Sequence, residues 1–184
     1  MSSFHRRGFL GGALAFVLGR GHASASQSGK TAEDRLAELG LELPSAPSPV
    51  GTYVPSVRSG SMLYTSGSGP GVGPDGQPVL GKVGRDLTLE QGNAAARLAG
   101  LRVLANVRHS LGSLNKVERV VKVLGMVNAT PDFGQQPQVV NGFSDLMVEI
   151  FGEERGKGAR SAVGMGSLPS GIPVEVEAIF EVAD

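Results

Sequence analysis

The chain has 184 residues, a length that suits one domain, with 40% hydrophobic and 18% charged residues. Its formal net charge is zero, and no block of basic residues interleaved with aromatics occurs, so nothing favours a nucleic-acid partner. Cys and Trp are absent, which excludes disulfides, thiol nucleophiles and Cys-based zinc sites and leaves the core to Val, Leu, Ile, Met and Ala. Of the three His, His5 and His22 lie near the N-terminus and only His109 lies further on, so no metal site is expected in the folded domain.

Residues 1–25 read as an export signal. Arg6-Arg7 precedes an apolar stretch from Gly8 to Leu18, and Ala23-Ser24-Ala25 supplies a small-residue cleavage pattern. The apolar run is too short and Gly-rich to span a bilayer. Arg6-Arg7 followed by Gly8-Phe9-Leu10 resembles the twin-arginine motif. The expected destination is periplasmic or secreted, with no membrane attachment after cleavage. Cleavage would remove Arg6, Arg7 and Arg20 and no acid, leaving 14 basic and 17 acidic residues, a net charge of −3.

Residues 26–49 are expected to form a polar start, a short helix and a Pro-rich connector. Thr31 with Glu33 and Asp34 signals a helix N-terminus, and Gly40 its end. The folded domain proper is expected over 50–184. Tyr53 to Arg58 and Met62 to Ser66 predict a hairpin around Ser59-Gly60-Ser61. A Gly/Pro-rich loop follows, with Pro74-Asp75-Gly76 as a turn and room for a further short strand. It lacks the spacing of a phosphate-binding loop.

Thr88 and Gln91 form a capping box that opens the longest predicted helix. Ala94, Leu98, Leu101, Leu104 and Leu111 mark its stripe, and Gly112 its end. Val117 to Asn128 predicts a strand apolar on both faces, with Val121, Val123 and Val127 on one side and Val120, Leu124 and Met126 on the other. Pro137 to Phe151 predicts a second helix that buries Val140, Phe143, Met147, Ile150 and Phe151. Two last strands are expected at about Ser161 to Gly166 and over PVEVEAIFEV. In the latter Val174, Val176, Ala178, Phe180 and Val182 share a face, and Glu175, Glu177, Ile179 and Glu181 the other. The fold class implied is α+β: about six strands in one mixed sheet, both main helices on one face, and a second face that needs solvent or a partner.

Few residues stand out chemically. His109 sits near a helix C-terminus, where an imidazolium merely complements the dipole. Arg160 lies where a Gly-rich loop becomes a strand, and its planar fork suits a carboxylate. Glu175 and Glu177 lie on the polar face of the last strand, where a carboxylate can activate water or shuttle a proton. Spacing alone leaves each of these open to reading as an ordinary surface residue.

Three segments, GTYVPSVRSGSMLYTSG, VNGFSDLMVEIFG and ARSAVGMGSLPSGIPVEVEAI, resemble the Rid family of reactive-intermediate imine/enamine deaminases, also called YjgF-like or L-PSP endoribonuclease-like. The resemblance covers about residues 50–182. It implies a chorismate-mutase-like fold assembled as a homotrimer with clefts between subunits. Arg160 would hold the substrate carboxylate and Glu175 would position the attacking water. Tyr53, Ser66, Gly67 and Asn141 would line the cleft, with the backbone at Ala162 in place of a family Cys. Ser68 stands where many deaminases carry Gln. The implied reaction is hydrolysis of a 2-enamine or 2-imine acid to a 2-keto acid and ammonia, with no cofactor, because the imine carbon is already electrophilic. The expected ligand is therefore a small 2-imino or 2-keto acid. The alternatives are a carboxylate-binding module without catalysis and, against the negative charge of residues 26–184, an endoribonuclease.

Overall fold

The computed structural model describes residues 29–46, 49 and 51–184. The expected export signal therefore lies outside the described residues.

The first helix, α1 (Ala32–Glu38), starts with a reciprocal capping box. The Thr31 hydroxyl accepts the Asp34 N–H, and the Asp34 carboxylate accepts the Thr31 N–H. Ala32 and Leu36 are buried. Glu33 ties the helix to the rest of the fold. Its carboxylate accepts the Leu114 N–H at 2.8 Å and the Arg108 guanidinium. Burial alone would raise the Glu33 carboxyl, but the Leu114 N–H, then Arg108 and Ser113, together hold it below its ordinary value.

The hairpin is β1 (Ser56–Ser59) and β2 (Met62–Thr65), shorter at its start than the sequence suggests. The long helix α2 (Leu89–Leu111) opens with the Thr88–Gln91 capping box and closes on left-handed Gly112. Then come β3 (Val117–Asn128), α3 (Gln136–Phe151), the short α4 (Glu153–Gly156), β4 (Ala159–Met165) and β5 (Val174–Val182). The sheet order is β1-β2-β5-β3-β4, with β3 and β4 parallel and all other pairs antiparallel. This is the expected single mixed sheet with its helices packed on it.

Three details differ from the sequence reading. The sheet of the described residues has five strands, not about six. In the Gly/Pro-rich loop the extra strand reduces to an isolated Val72–Pro78 bridge, because Pro residues withhold donors and Gly residues offer no side chain to pack. Second, β3 shifts register against β5 twice, between Val117 and Arg119 and between Val120 and Lys122. Val120 pairs with Phe180 but Lys122 pairs with Ile179, so Val121 is an extra residue. Val120 thus joins Val123 and Val127 on the buried face, and the strict alternation breaks at Val121.

Third, the buried stripe of α2 is small-residued. Ala95, Ala96, Ala99, Val103, Leu104, Val107 and Leu111 are buried, whereas Ala94 is exposed and Leu98 and Leu101 are partly buried. The cause is the close approach of α3, whose Phe143 and Leu146 pack over Gly100.

The main core lies between the helices and the sheet. Phe180, Ala178, Val176 and Val174 of β5 face it, as do Val140, Phe143, Met147 and Ile150 of α3. The opposite sheet face carries Val57, Tyr64, Ile179 and Lys122 across one row and Val163, Met126 and Glu175 across another. Val57 and Tyr64 are about half exposed, at 53% and 44%.

Candidate functional site

The end of β2 shapes one half of the site. At Thr65 the side chain replaces part of the ladder. Its Oγ1 accepts the Ala178 N–H at 3.0 Å and donates to the Ala178 carbonyl at 3.2 Å. The chain then steps aside. The Ser66 N–H donates to the Pro55 carbonyl at 2.9 Å and the Ser66 hydroxyl to the Val54 carbonyl at 2.7 Å. Ser68 rejoins β5 through reciprocal backbone bonds with Val176. Gly67, held between these anchors, lies directly over Glu175. A Cβ on Gly67 would stand 2.0 Å from Glu175 Oε1, so only glycine fits while the carboxylate keeps its place.

Glu175 lies on the sheet face away from the core, paired with Met126. Among the described residues no donor is placed to hydrogen-bond its carboxylate. Burial raises its proton affinity above the ordinary value, and neighbouring Glu177 on the same strand face adds to the rise. A carboxyl so tuned can exchange a proton closer to neutral pH. Tyr53, Ser66, Gly67 and Glu175 line one cavity of about 510 Å³ together with Arg102 and Ile172.

The other half lies across the sheet. Arg160 pairs with Val123 on β3 and so points toward the helices. Its Nη1 donates to Asn141 Oδ1 at 2.9 Å and to Ser144 Oγ at 3.0 Å, and Nη2 donates to the Pro137 carbonyl at 3.3 Å. All three acceptors are neutral, so the charge has no carboxylate partner among the described residues. Arg160 lines a second cavity, of about 230 Å³, with Val123, Ser144, Met147 and Gly158. Ala162, two residues along β4, shares the Arg160 side and packs against the core.

The structure therefore sorts the sequence-predicted residues into two groups. Tyr53, Ser66, Gly67 and Glu175 share one cavity. Arg160 and Asn141 are hydrogen-bonded, with Ala162 beside them. Within one chain the two groups line different cavities, and Glu175 and Arg160 project from opposite faces of the sheet. Arg102 and Asn106, in the wall of the first cavity, escaped the sequence reading. The available signal was a pair of polar residues one helical turn apart inside the buried stripe of α2. Among the described residues no group of three or more His, Asp or Glu side chains is placed to hold a metal ion.

The family model described as "YjgF/chorismate mutase-like, putative endoribonuclease" matches residues 33–170. The chain belongs to the YjgF family. The chain is 43% identical to Protein TCP17 of Trypanosoma cruzi over 86% of its own length and 98% of that protein's. Its fold matches a protein of unknown function from Agrobacterium tumefaciens, with 42% identity, a TM-score of 0.74, and coverage of 83% of this chain and 94% of that one. It also matches a "putative endoribonuclease" from Shewanella oneidensis, with 33% identity, a TM-score of 0.78, and coverage of 83% and 100%. A protein named RidA from an Antarctic Psychrobacter shares 28% identity with a TM-score of 0.51, over 75% of this chain and 94% of that one. The YjgF likeness thus extends over the hairpin, both main helices and the crossover to β4.

Proposed function

We propose that this YjgF-family protein is a hydrolytic deaminase of short-lived 2-enamine and 2-imine acids, acting at a site shared between neighbouring chains of a homotrimer. One observation carries the reading. A carboxyl with raised proton affinity, Glu175, lines one cavity without a hydrogen-bond donor, while the guanidinium of Arg160 meets only neutral acceptors at another. The carboxyl of one half and the guanidinium of the other would complete one site. A neighbouring chain that covers the open sheet face would bring its Arg160 to the Glu175 cavity. The partly apolar open face, with Val57 and Tyr64 exposed, supports such a neighbour, and so does the likeness to a protein named RidA.

The chemistry follows from the groups. Arg160 takes the substrate carboxylate on two parallel donors. Asn141 and Ser144 hold the guanidinium in place. Tyr53 and Ser66 border the reacting end. Water attacks the imine carbon, and Glu175 takes a proton from that water as the C–O bond forms. Glu175 passes that proton to the nitrogen and then carries the hydroxyl proton to it as well; the C–N bond breaks, and ammonia leaves as the keto group forms. No cofactor is required, because the substrate carbon is already electrophilic.

The test is a coupled assay for ammonia release from enzymatically generated 2-iminopropanoate, with keto-acid binding followed by calorimetry. The wild-type protein should accelerate release, and Glu175→Gln should bind keto acid but turn over poorly. No acceleration by the wild-type protein, with keto-acid binding intact, would leave a carboxylate-binding module instead. We further propose that residues 1–25 direct export by the twin-arginine route. N-terminal sequencing of exported material should begin at Ser26, and a start at Met1 would overturn the cleavage.

A further inference from the structure

Two polar atoms in the wall of the Glu175 cavity are buried and unpartnered among the described residues. They are Nε of Arg102 and Oδ1 of Asn106. Both residues sit on α2, one turn apart, among Ala99, Val103 and Val107 of the core. Asn106 is only 3% exposed. Its amide reaches one partner, Ser68 Oγ, at the long distance of 3.5 Å. A buried polar group left open is destabilising, and proteins retain it where water or a ligand completes it.

Arg102 has neither a side-chain hydrogen bond nor an ion pair among the described residues, although every other arginine of α2 has one. Arg97 pairs with Glu149 and Arg108 with Glu33. The one acid in the cavity wall is Glu175, and Arg102 makes no contact with it that lowers its proton affinity. The guanidinium lies against Gly71, where a Cβ would stand 2.8 Å from Nη1 and where φ is +74°. The Gly-rich loop thus leaves the space that the guanidinium occupies. The cavity thus carries a guanidinium that no acid among the described residues pairs with. The cavity, about 510 Å³, falls within the usual span of ligand pockets, roughly 300–1,000 Å³.

We propose that Arg102 determines specificity by receiving a second acid group of the substrate, so that the site prefers 2-imino and 2-keto dicarboxylates to their monocarboxylate counterparts. This rests on the reading in which Arg160 of a neighbouring chain holds the first carboxylate. Arg160 of the neighbouring chain would take the first carboxylate, and Arg102 is this chain's own guanidinium in the wall of the Glu175 cavity. Asn106, on the next turn of α2, leaves its Oδ1 open to accept from a water bound with that acid group.

The experiment is a calorimetric titration of the purified protein with 2-oxobutanoate and with 2-oxoglutarate, stable keto acids with one and two carboxylates. The wild-type protein should prefer 2-oxoglutarate by roughly tenfold or more, the value of a charge-assisted contact. Arg102→Gln should abolish that preference, weakening 2-oxoglutarate at least tenfold more than 2-oxobutanoate. Arg102→Lys should keep part of it, because an ammonium retains the charge without the fork. Equal affinity for the two ligands in the wild-type protein overturns the proposal. So does an Arg102→Gln protein that loses affinity for both alike. If Arg102→Gln does not fold, Arg102→Lys carries the test: a reduced preference supports the assignment and an unchanged one refutes it. The two readings fail separately. Dicarboxylate binding that depends on Arg102 but not on Arg160 removes the shared-site deaminase and keeps Arg102. Binding that depends on Arg160 with no dicarboxylate preference does the reverse.

Discussion

Replacing Gly67 by Ala should separate catalysis from stability. The new Cβ would stand 2.0 Å from Glu175 Oε1, 2.8 Å from its Cδ and 3.0 Å from its Cγ. Ordinary contact begins at 3.4 Å, so the carboxylate must retreat by about 1.4 Å. Glu175 is the flexible end of a long side chain beside an open cavity, so it can swing away without moving the backbone. The stability cost should therefore stay at the low end of overpacking, about 1 kcal/mol. A displacement of an ångström at a reacting group costs on the order of 100-fold in rate. Gly67→Ala should accordingly lose about two orders of magnitude in kcat/KM for imine hydrolysis, while keto-acid binding through Arg160 changes little. Thermal melting by circular dichroism and the coupled ammonia assay read the two quantities. Activity within a few-fold of wild type would show that the Glu175 position is irrelevant to turnover. A collapse of the melting temperature would show that Gly67 serves folding and not placement.

The raised proton affinity of Glu175 predicts that kcat/KM falls on the acid side at a pH above the ordinary carboxylate value of 4.5, and that Glu175→Gln lacks this limb in its residual rate. With the folded value raised, the stability this group contributes is present below the unfolded pKa and lost as pH rises through the folded one. Glu175→Gln should therefore melt higher than wild type at neutral pH and not in acid. Arg160→Lys should lose most carboxylate binding, with a free-energy cost of roughly 2–5 kcal/mol, because one ammonium cannot keep Asn141, Ser144 and a bound acid on parallel donors; calorimetry reads the loss, and full affinity would exclude Arg160 from the site. Glu33→Gln should cost about 1–2 kcal/mol at neutral pH through the Arg108 and Leu114 contacts. Since that carboxyl is held below its ordinary value, the cost should shrink as pH falls through the folded pKa, and denaturant titrations at two pH values measure it.

Much of the fold was legible because local signals agree with the tertiary structure. The β5 alternation places Val174, Val176, Ala178, Phe180 and Val182 on the core side, all of them buried. The Thr31 and Thr88 capping signals both close as hydrogen bonds. What sequence periodicity could not carry is register. β3 is apolar on both faces, so the extra residue Val121 leaves no mark in the pattern, and only pairing with β5 exposes it. The small-residue stripe of α2 is likewise set by how closely α3 packs.

The candidate site was proposed mainly through resemblance. Spacing alone left Arg160 and Glu175 as plausible surface residues, and nothing local reveals that they line different cavities. Arg102 was hidden for a related reason. It sits between Leu101 and Val103 in a long helix, and only the Gly-rich loop folding back over α2 turns it into a cavity wall.

The most direct measurement is complementation between two inactive chains. Arg160→Ala and Glu175→Gln chains, carrying different affinity tags, are co-expressed, and mixed trimers are purified through both tags. If each site takes Glu175 from one chain and Arg160 from the next, every mixed trimer contains one intact site. Ammonia release should then recover to about one-third of the wild-type rate, whichever chain is in the majority. Mixed assemblies no more active than the separate variants would contradict a site shared between chains.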